Sequence, residues 1–353
     1  MAQNISPISL INKKHTMKKI YLFTIFFGWI TYAYGQQYVQ YTQFMFNKIA
    51  LNPAYAGSKE GPTFSTLYRT QWVHLNGAPV SQSFSVHAPI LKDRVGIGLS
   101  VHHDKIGPSS SWFYNLQYAY RISLQKGHLS IGLQGLLRSY RVNWEAVNTI
   151  HAADPTYGGG SSVKFLPNVG VGVYYYTENL YTGFSMPRLL KGDLSFQEQI
   201  LISSDYSLED RKALWMLGGI IPIRKQLKIK ADGLIKYIPN APLDIDLHAG
   251  IVFLDLFNVG LTYRFGGITR VTKSVVTAPD GGSTPVPITK TSNSFGESLD
   301  FVLQILCSDN LKLGLAYDYN LSQVRDFNSG TYELMIEYTV GKKPINMSNP
   351  RFF

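Results

Sequence analysis

The sequence predicts an all-β protein, a transmembrane antiparallel up-and-down β-barrel of about fourteen strands with a short N-terminal plug or lid segment. Three observations lead there. Side-chain polarity alternates with a period of two in segments long enough to cross a bilayer. The connections between them alternate between tight turns and longer Pro/Gly-rich loops. Aromatic residues gather near both ends of the segments, as two interfacial girdles would require. Composition agrees. Charged residues are 16% of the chain, against about 25% in ordinary globular domains. Aromatics are 13%, and Gly is frequent at 31 residues. An apolar exterior around a polar lumen also explains a mean hydropathy of only −0.04.

Residues 1–35 read as a secretory leader. Lys18 and Lys19 precede the apolar run Ile20–Ile30, and Ala33-Tyr34-Gly35 fits a small-x-small cleavage site. The run is shorter than the roughly 20 residues a membrane-spanning helix needs. Met17 is an alternative start, which would leave residues 1–16 upstream of the translated chain. Cleavage removes four of the 33 basic residues and no acid, so against 23 acids the formal charge falls from +10 to +6. The remaining basic residues are scattered, which argues against nucleic-acid binding and suits a barrel among anionic lipid headgroups. Cys307 is the only cysteine, excluding an internal disulfide and a multi-cysteine metal site.

Residues 36–60 follow as a plug or lid. Tyr38, Tyr41, Met45 and Ile49 recur at helical spacing, and Asn52-Pro53-Ala54-Tyr55-Ala56-Gly57 ends the run with turn chemistry. The segment is too rich in Tyr, Phe, Met and Ile for a free tail.

The barrel is expected over 61–341, with a periplasmic tail at 342–353. Fourteen segments alternate: 61–72, 78–89, 94–104, 111–123, 127–143, 165–177, 180–189, 210–222, 226–239, 242–254, 257–267, 295–307, 310–322 and 331–341. In 311–320, Leu311, Leu313, Leu315, Tyr317 and Tyr319 share the lipid face, and Lys312, Gly314, Ala316, Asp318 and Asn320 the lumen face. Tight turns at 89–93, 125–127, 178–179, 224–225, 255–256 and 308–310 are expected in the periplasm, with both termini. The loops 144–164, 190–209 and 268–294 are expected outside. Trp72, Trp112, Trp144 and Trp215 fall near the long-loop ends. Tyr118, Tyr120, Tyr175, Tyr181, Phe257 and Tyr338 fall near the tight turns.

Candidate chemistry is sparse. His102-His103-Asp104 lies on a strand, where adjacent histidines point to opposite faces and cannot share a metal without a bulge. Asp244, Asp246 and His248 share the lumen face, where an Asp–His pair could do acid–base work, although a hydrated wall is the simpler reading. No nucleophile-elbow, zinc-protease, P-loop or dinucleotide motif is present. No catalytic residue, cofactor or metal ligand is assigned, and the chain reads as a non-enzyme.

The segments Gln40-Tyr41-Thr42-Gln43-Phe44-Met45-Phe46-Asn47 and Leu51-Asn52-Pro53-Ala54-Tyr55-Ala56-Gly57-Ser58 resemble the opening of the PorP/SprF family. Tyr68-Arg69-Thr70-Gln71-Trp72, Pro79–Phe84 and the terminal Pro350-Arg351-Phe352-Phe353 are similar to it as well. The resemblance implies an outer-membrane component of the type IX protein secretion and gliding machinery of Bacteroidota. It implies as partners a secreted protein or adhesin with a C-terminal type IX signal domain, and periplasmic ring components of the machine. Asn52, Pro53, Ala54, Tyr55, Gly57, Arg69 and Trp72 are the candidate interaction residues. The alternative is a passive or gated channel for solutes, of the fatty-acid type. Bulky lumen-facing Tyr174 and Tyr176 lean toward a filled interior.

Overall fold

The computed structural model describes residues 40–144, 161–193, 208–209, 211–239, 243–265, 296–321 and 323–341. The leader, residues 36–39, the loop 268–294 and the tail 342–353 lie outside the described residues.

The strands are β1 (Thr63–Thr70), β2 (Val80–Ile90), β3 (Val95–Ile106), β4 (Ser109–Leu124), β5 (Gly127–Asn143), β6 (Ser161–Tyr176) and β7 (Leu180–Arg188). They continue with the two-residue β8 (Gly192–Asp193) and β9 (Leu208–Glu209), then β10 (Lys212–Arg224), β11 (Leu227–Tyr237) and β12 (Asp244–Phe253). The chain ends with β13 (Phe257–Phe265), β14 (Ser298–Leu306), β15 (Leu311–Asn320) and β16 (Thr331–Thr339). Fourteen of them form one closed antiparallel barrel. Each pairs with its neighbour in the chain, except that β7 pairs with β10 across the small β8–β9 hairpin. The barrel closes through β1 and β16, in register from Thr63↔Thr339 to Thr70↔Tyr332. Closure leaves no backbone edge for the bilayer to leave unsatisfied. Each segment expected from alternation holds one barrel strand.

The expected faces are also found. In β15, Gly314, Ala316, Asp318 and Asn320 are buried, whereas Leu315 and Tyr319 are exposed to the outside. Around the wall the outward positions are Leu, Ile, Val, Phe, Tyr and Trp. The inward ones are chiefly Gly, Ser, Asn, Gln and charged residues, joined by apolar ones such as Leu67, Leu214, Met216 and Met335 that cluster with the N-terminal segment. Tyr118, Tyr120, Phe257 and Tyr338 point outward near the tight turns, and Trp112 and Trp215 toward the other end. Tyr181 departs from this girdle. It alternates with the exposed Leu180 and lies wholly inside the lumen at 0% exposure. Its distance from the turn was right, but the pleat sends it to the other face.

One connection on the long-loop side is shorter than expected. β3 and β4 run on to Ile106 and Ser109, joined only by Gly107-Pro108. Gly107 has φ +54°, which glycine adopts without strain. The polar run Ser109-Ser110-Ser111 lets the ladder project past the apolar band.

Face and depth together set the cost of a charge. Leu315 is the central outward residue of β15, and Leu313 lies closer to the tight turn. Leu315→Arg is expected to destabilise the assembled barrel by about 2–4 kcal/mol, Leu313→Arg by less, and Lys312→Arg negligibly. The fraction of heat-modifiable folded species on gels checks the order.

Candidate functional site, a plugged lumen

The barrel is filled by its own N-terminal segment. From Tyr41 to Ser58 every residue except Ala50 is buried. Tyr41, Met45 and Ile49 are all inside, but not on a helix. The backbone makes a turn over 42–46 and two short 3-10 helices, Lys48–Ala50 and Pro53–Tyr55. The segment is enclosed on all sides, so the apolar spacing reflects general burial rather than one helical face. Pro53 also holds Asn52 in an extended conformation at φ −142°, ψ 116°.

The plug spans the lumen end to end. At the long-loop end the Gln40 side chain accepts a hydrogen bond from Arg264 at 3.4 Å. At the tight-turn end Lys59 pairs with Glu337 at 3.7 Å, and the chain turns into β1. Gln40 and Gly341 therefore lie at opposite ends of the barrel. The chain must cross the lumen once before β1 begins, and this reversal has no signature in strand counting.

Three sets of contacts seat the plug. The first is ionic and lies toward the long loops. Arg69 is 1% exposed and reaches Asp318 at 2.8 Å and Glu333 at 3.2 Å. Glu333 accepts the backbone N–H groups of Thr42 and Gln43 at 2.9 and 2.8 Å. The Thr42 hydroxyl donates to Asp318 at 2.7 Å and accepts from Arg69. Next to it Arg264 bonds Asp246 at 3.0 Å and pairs with Asp300 at 3.4 Å, and Lys236 pairs with Asp246 at 2.8 Å. Charges this deep persist only when paired and hydrogen-bonded.

The second set is a cradle of glycines. A Cβ at Gly132 would fall on the backbone of Pro53 and Ala54, at Gly172 on the Asn52 side chain, and at Gly314 on Gln43. Asn52 is fixed both ways, its Oδ1 accepting from Ala54 N–H at 2.9 Å and its Nδ2 donating to the Val173 carbonyl at 3.0 Å. Ser185 donates to the Leu51 carbonyl at 2.6 Å. Gly132→Val is expected to unseat the plug at an overpacking cost of about 1–3 kcal/mol while the barrel still assembles. Faster proteolysis near residue 50 in detergent would report it.

The third set is aromatic. Tyr55 stands edge-on to Tyr174 and His87, both at 5.5 Å between ring centroids. The Lys48 ammonium lies 3.8 Å from the Tyr181 ring centroid, and Lys230 sits 4.2 Å from that of Phe46. Burial holds the Lys48 ammonium well below the ordinary lysine pKa, and it raises the Tyr41 and Tyr55 phenols above theirs. Tyr41 bonds His102 at 3.0 Å.

A recess remains on each side of the plug. One of about 120 Å³ has Phe46 as floor and opens between Asp255 and Asn310 at the tight turns. One of about 100 Å³ has Tyr41 and Leu51 as floor and is lined by Arg138, Arg188 and Lys212 toward the long loops.

A family model described as "Type IX secretion system membrane protein PorP/SprF" matches residues 33–338. The chain belongs to the PorP/SprF family. No curated protein matches it. Among solved structures, the outer membrane protein Omp33 of Acinetobacter baumannii aligns at TM-score 0.44 with 6% identity, over 80% of this chain and 99% of that one. A Pseudomonas aeruginosa FadL homologue aligns at TM-score 0.41 with 12% identity, over 88% and 96%. These are outer-membrane proteins, and at such scores the likeness carries no argument about function.

In this PorP/SprF protein, six of the seven candidate interaction residues turn inward. Asn52, Pro53, Ala54, Tyr55 and Gly57 are buried in the plug, and Arg69 is buried in the wall beside it. Trp72 lies just past β1 at the long-loop end, with a strained φ of +47°. The Asp244–His248 group does not form an acid–base pair. Asp246 serves Arg264 and Lys236, and His248 bonds Thr262 at 2.9 Å. His102 and His103 take opposite faces, His102 toward Tyr41 and His103 stacked outward on Trp112 at 4.2 Å. Gly132, Gly172, Asp318 and Glu333 were not singled out from sequence. Alternation placed Asp318 on the lumen face, but its partner on the plug is far away in the chain.

Proposed function

We propose that this PorP/SprF barrel serves type IX export as a closed, non-enzymatic outer-membrane protein. It receives or retains a secreted protein or adhesin bearing a C-terminal type IX signal domain at the cell surface. The tight-turn end faces the periplasm and meets ring components of the secretion machine. The long loops face outward. The single observation that carries this reading is the seated plug. A lumen closed by ion pairs, a glycine cradle and stacked aromatics suits a barrel that holds a protein, and it suits free solute passage poorly. The buried residues Asn52, Pro53, Ala54, Tyr55, Gly57 and Arg69 act by holding the plug. Trp72 is the candidate residue placed at the outer mouth.

The rival reading is a solute or fatty-acid-type channel gated by plug movement. Deleting the gene separates the two. The expected result is that secreted cargo appears in the medium instead of on the cell, with small-solute uptake unchanged. Normal surface display with reduced uptake would overturn the proposal. Orientation is tested separately. A protease site inserted near Gly281 should be cut in intact cells, and cutting only after membrane rupture would invert the topology.

A further inference from the structure

The recess floored by Phe46 opens at the tight-turn end, inside the ring of strands rather than on the outer wall. Its volume, about 120 Å³, is close to the roughly 150 Å³ of an apolar cavity that accommodates benzene. Val252 and Leu306 supply apolar wall, and the more exposed Lys59, Glu60, Asp255 and Asp309 lie around the opening. An apolar centre inside a polar rim is the anatomy of a pocket that takes an anchor side chain of a protein partner.

Two features choose among guests. The first is charge. Lys230 and Lys312 both line the recess, and their ammonium groups lie 4.2 and 5.5 Å from the centroid of the Phe46 ring. Carboxylates already answer them. Lys312 pairs with Glu337 at 3.2 Å, and Lys230 lies 3.9 Å from Asp232. An anion would therefore gain little, and it would have to leave water for apolar walls. An aromatic ring laid beside Phe46 keeps these ion pairs and offers the ammonium groups a second π face. An aliphatic side chain offers none.

The second feature is hydrogen bonding. Register sets Asn258 of β13 opposite Gln304 of β14, and both line the recess. Asn258 is 7% exposed and Gln304 4%. Asn258 Oδ1 accepts no hydrogen bond, and Gln304 Nε2 donates none. A buried acceptor and a buried donor left open are costly. Their complement is a group with one N–H and one C=O, which is a peptide amide. A ring carried on an amide is an aromatic residue of a polypeptide.

We propose that the recess takes one aromatic side chain, together with its backbone amide, from an extended segment of a periplasmic protein. The proposal rests on the reading above that the tight-turn end faces the periplasm. The guest ring packs on Phe46, a residue of the plug, so the docked partner braces the plug from its periplasmic side. The rim carries both signs of charge, so docking responds weakly to salt.

The test titrates N-acetylphenylalaninamide and N-acetylleucinamide against the purified full-length barrel in detergent, read by ligand-observed NMR. Leu306→Trp, which fills the recess, separates binding there from uptake by the detergent. The expected result is several-fold tighter binding of the aromatic probe, little changed by added salt and lost in Leu306→Trp. Lys230→Met keeps the stem without the charge and should erase the preference for the ring. Gln304→Leu should weaken both probes several-fold. Equal affinity for the two probes, no binding, or binding unchanged in Leu306→Trp would overturn the proposal. Tighter binding of acetate than of either probe would overturn it in favour of an anion site. In cells, benzoylphenylalanine at Asn310 should capture a discrete protein whose cross-linked segment holds an aromatic residue, and a capture that persists in Leu306→Trp would overturn the assignment. The probe titration does not depend on orientation or export. Orientation is read at Cys307, which is exposed beside Leu306. A membrane-impermeant maleimide should label it only in broken cells. Labelling in intact cells would overturn the periplasmic reading, and with it the periplasmic partner, while the preference for the aromatic probe stood.

Discussion

Removing residues 38–50 is expected to turn a silent barrel into a conducting one. The deletion takes out Tyr41, Thr42, Phe44, Phe46 and Lys48, which fill the lumen between the recess floored by Phe46 and the one floored by Tyr41 and Leu51. The fourteen-strand ladder does not include these residues, so the barrel should still close through β1 and β16. Purified wild-type protein in planar bilayers should show no steady current. The deletion should show stable channel openings, with heat-modifiable gel mobility retained. A deletion protein as silent as the wild type would mean that the segment does not close the lumen.

Arg69→Ala should be the most damaging single change inside the wall. The guanidinium is the shared partner of Asp318 and Glu333, and those carboxylates also hold Thr42 and Gln43. Breaking a buried ion pair from one side leaves charge without compensation, at a cost of about 3–5 kcal/mol. Arg69→Lys should recover little, because one ammonium cannot reproduce the fork that reaches two carboxylates. The double change Asp318→Asn with Glu333→Gln in the Arg69→Ala background should restore part of the loss, since the unpaired charges are then gone. Urea titration of the folded barrel measures all three. A loss for Arg69→Ala below about 1 kcal/mol would show that water replaces the guanidinium without penalty.

Much of the barrel could be read directly from the residues, because the information is local. Two-residue alternation in Leu311–Asn320 or Val95–His102 fixes face and strand together, and turn chemistry fixes the connections. Tyr181 shows where such reading slips. Its distance from the turn resembles a girdle residue, and only the parity with Leu180 reveals that it points inward. The plug was legible as a buried segment, since Tyr41, Phe44, Met45 and Ile49 could not trail in water without cost. Its path was not. Whether Gln40 sits at one mouth or the other depends on pairing Thr42 with Asp318 and Glu333, nearly the whole chain away. The glycine cradle is invisible for the same reason. Gly132 and Gly172 look like ordinary strand glycines until Asn52 and Ala54 are laid against them.

The most direct test of the whole reading is extraction of the intact PorP/SprF barrel from its native membrane with a membrane-excising polymer, followed by mass determination of the complex and peptide sequencing. The expected result is a defined complex in which a secreted protein with a C-terminal type IX signal domain is present in near-stoichiometric amount, on a barrel whose plug remains protected from protease. A barrel isolated without any such protein, and passing small solutes with its plug intact, would contradict it.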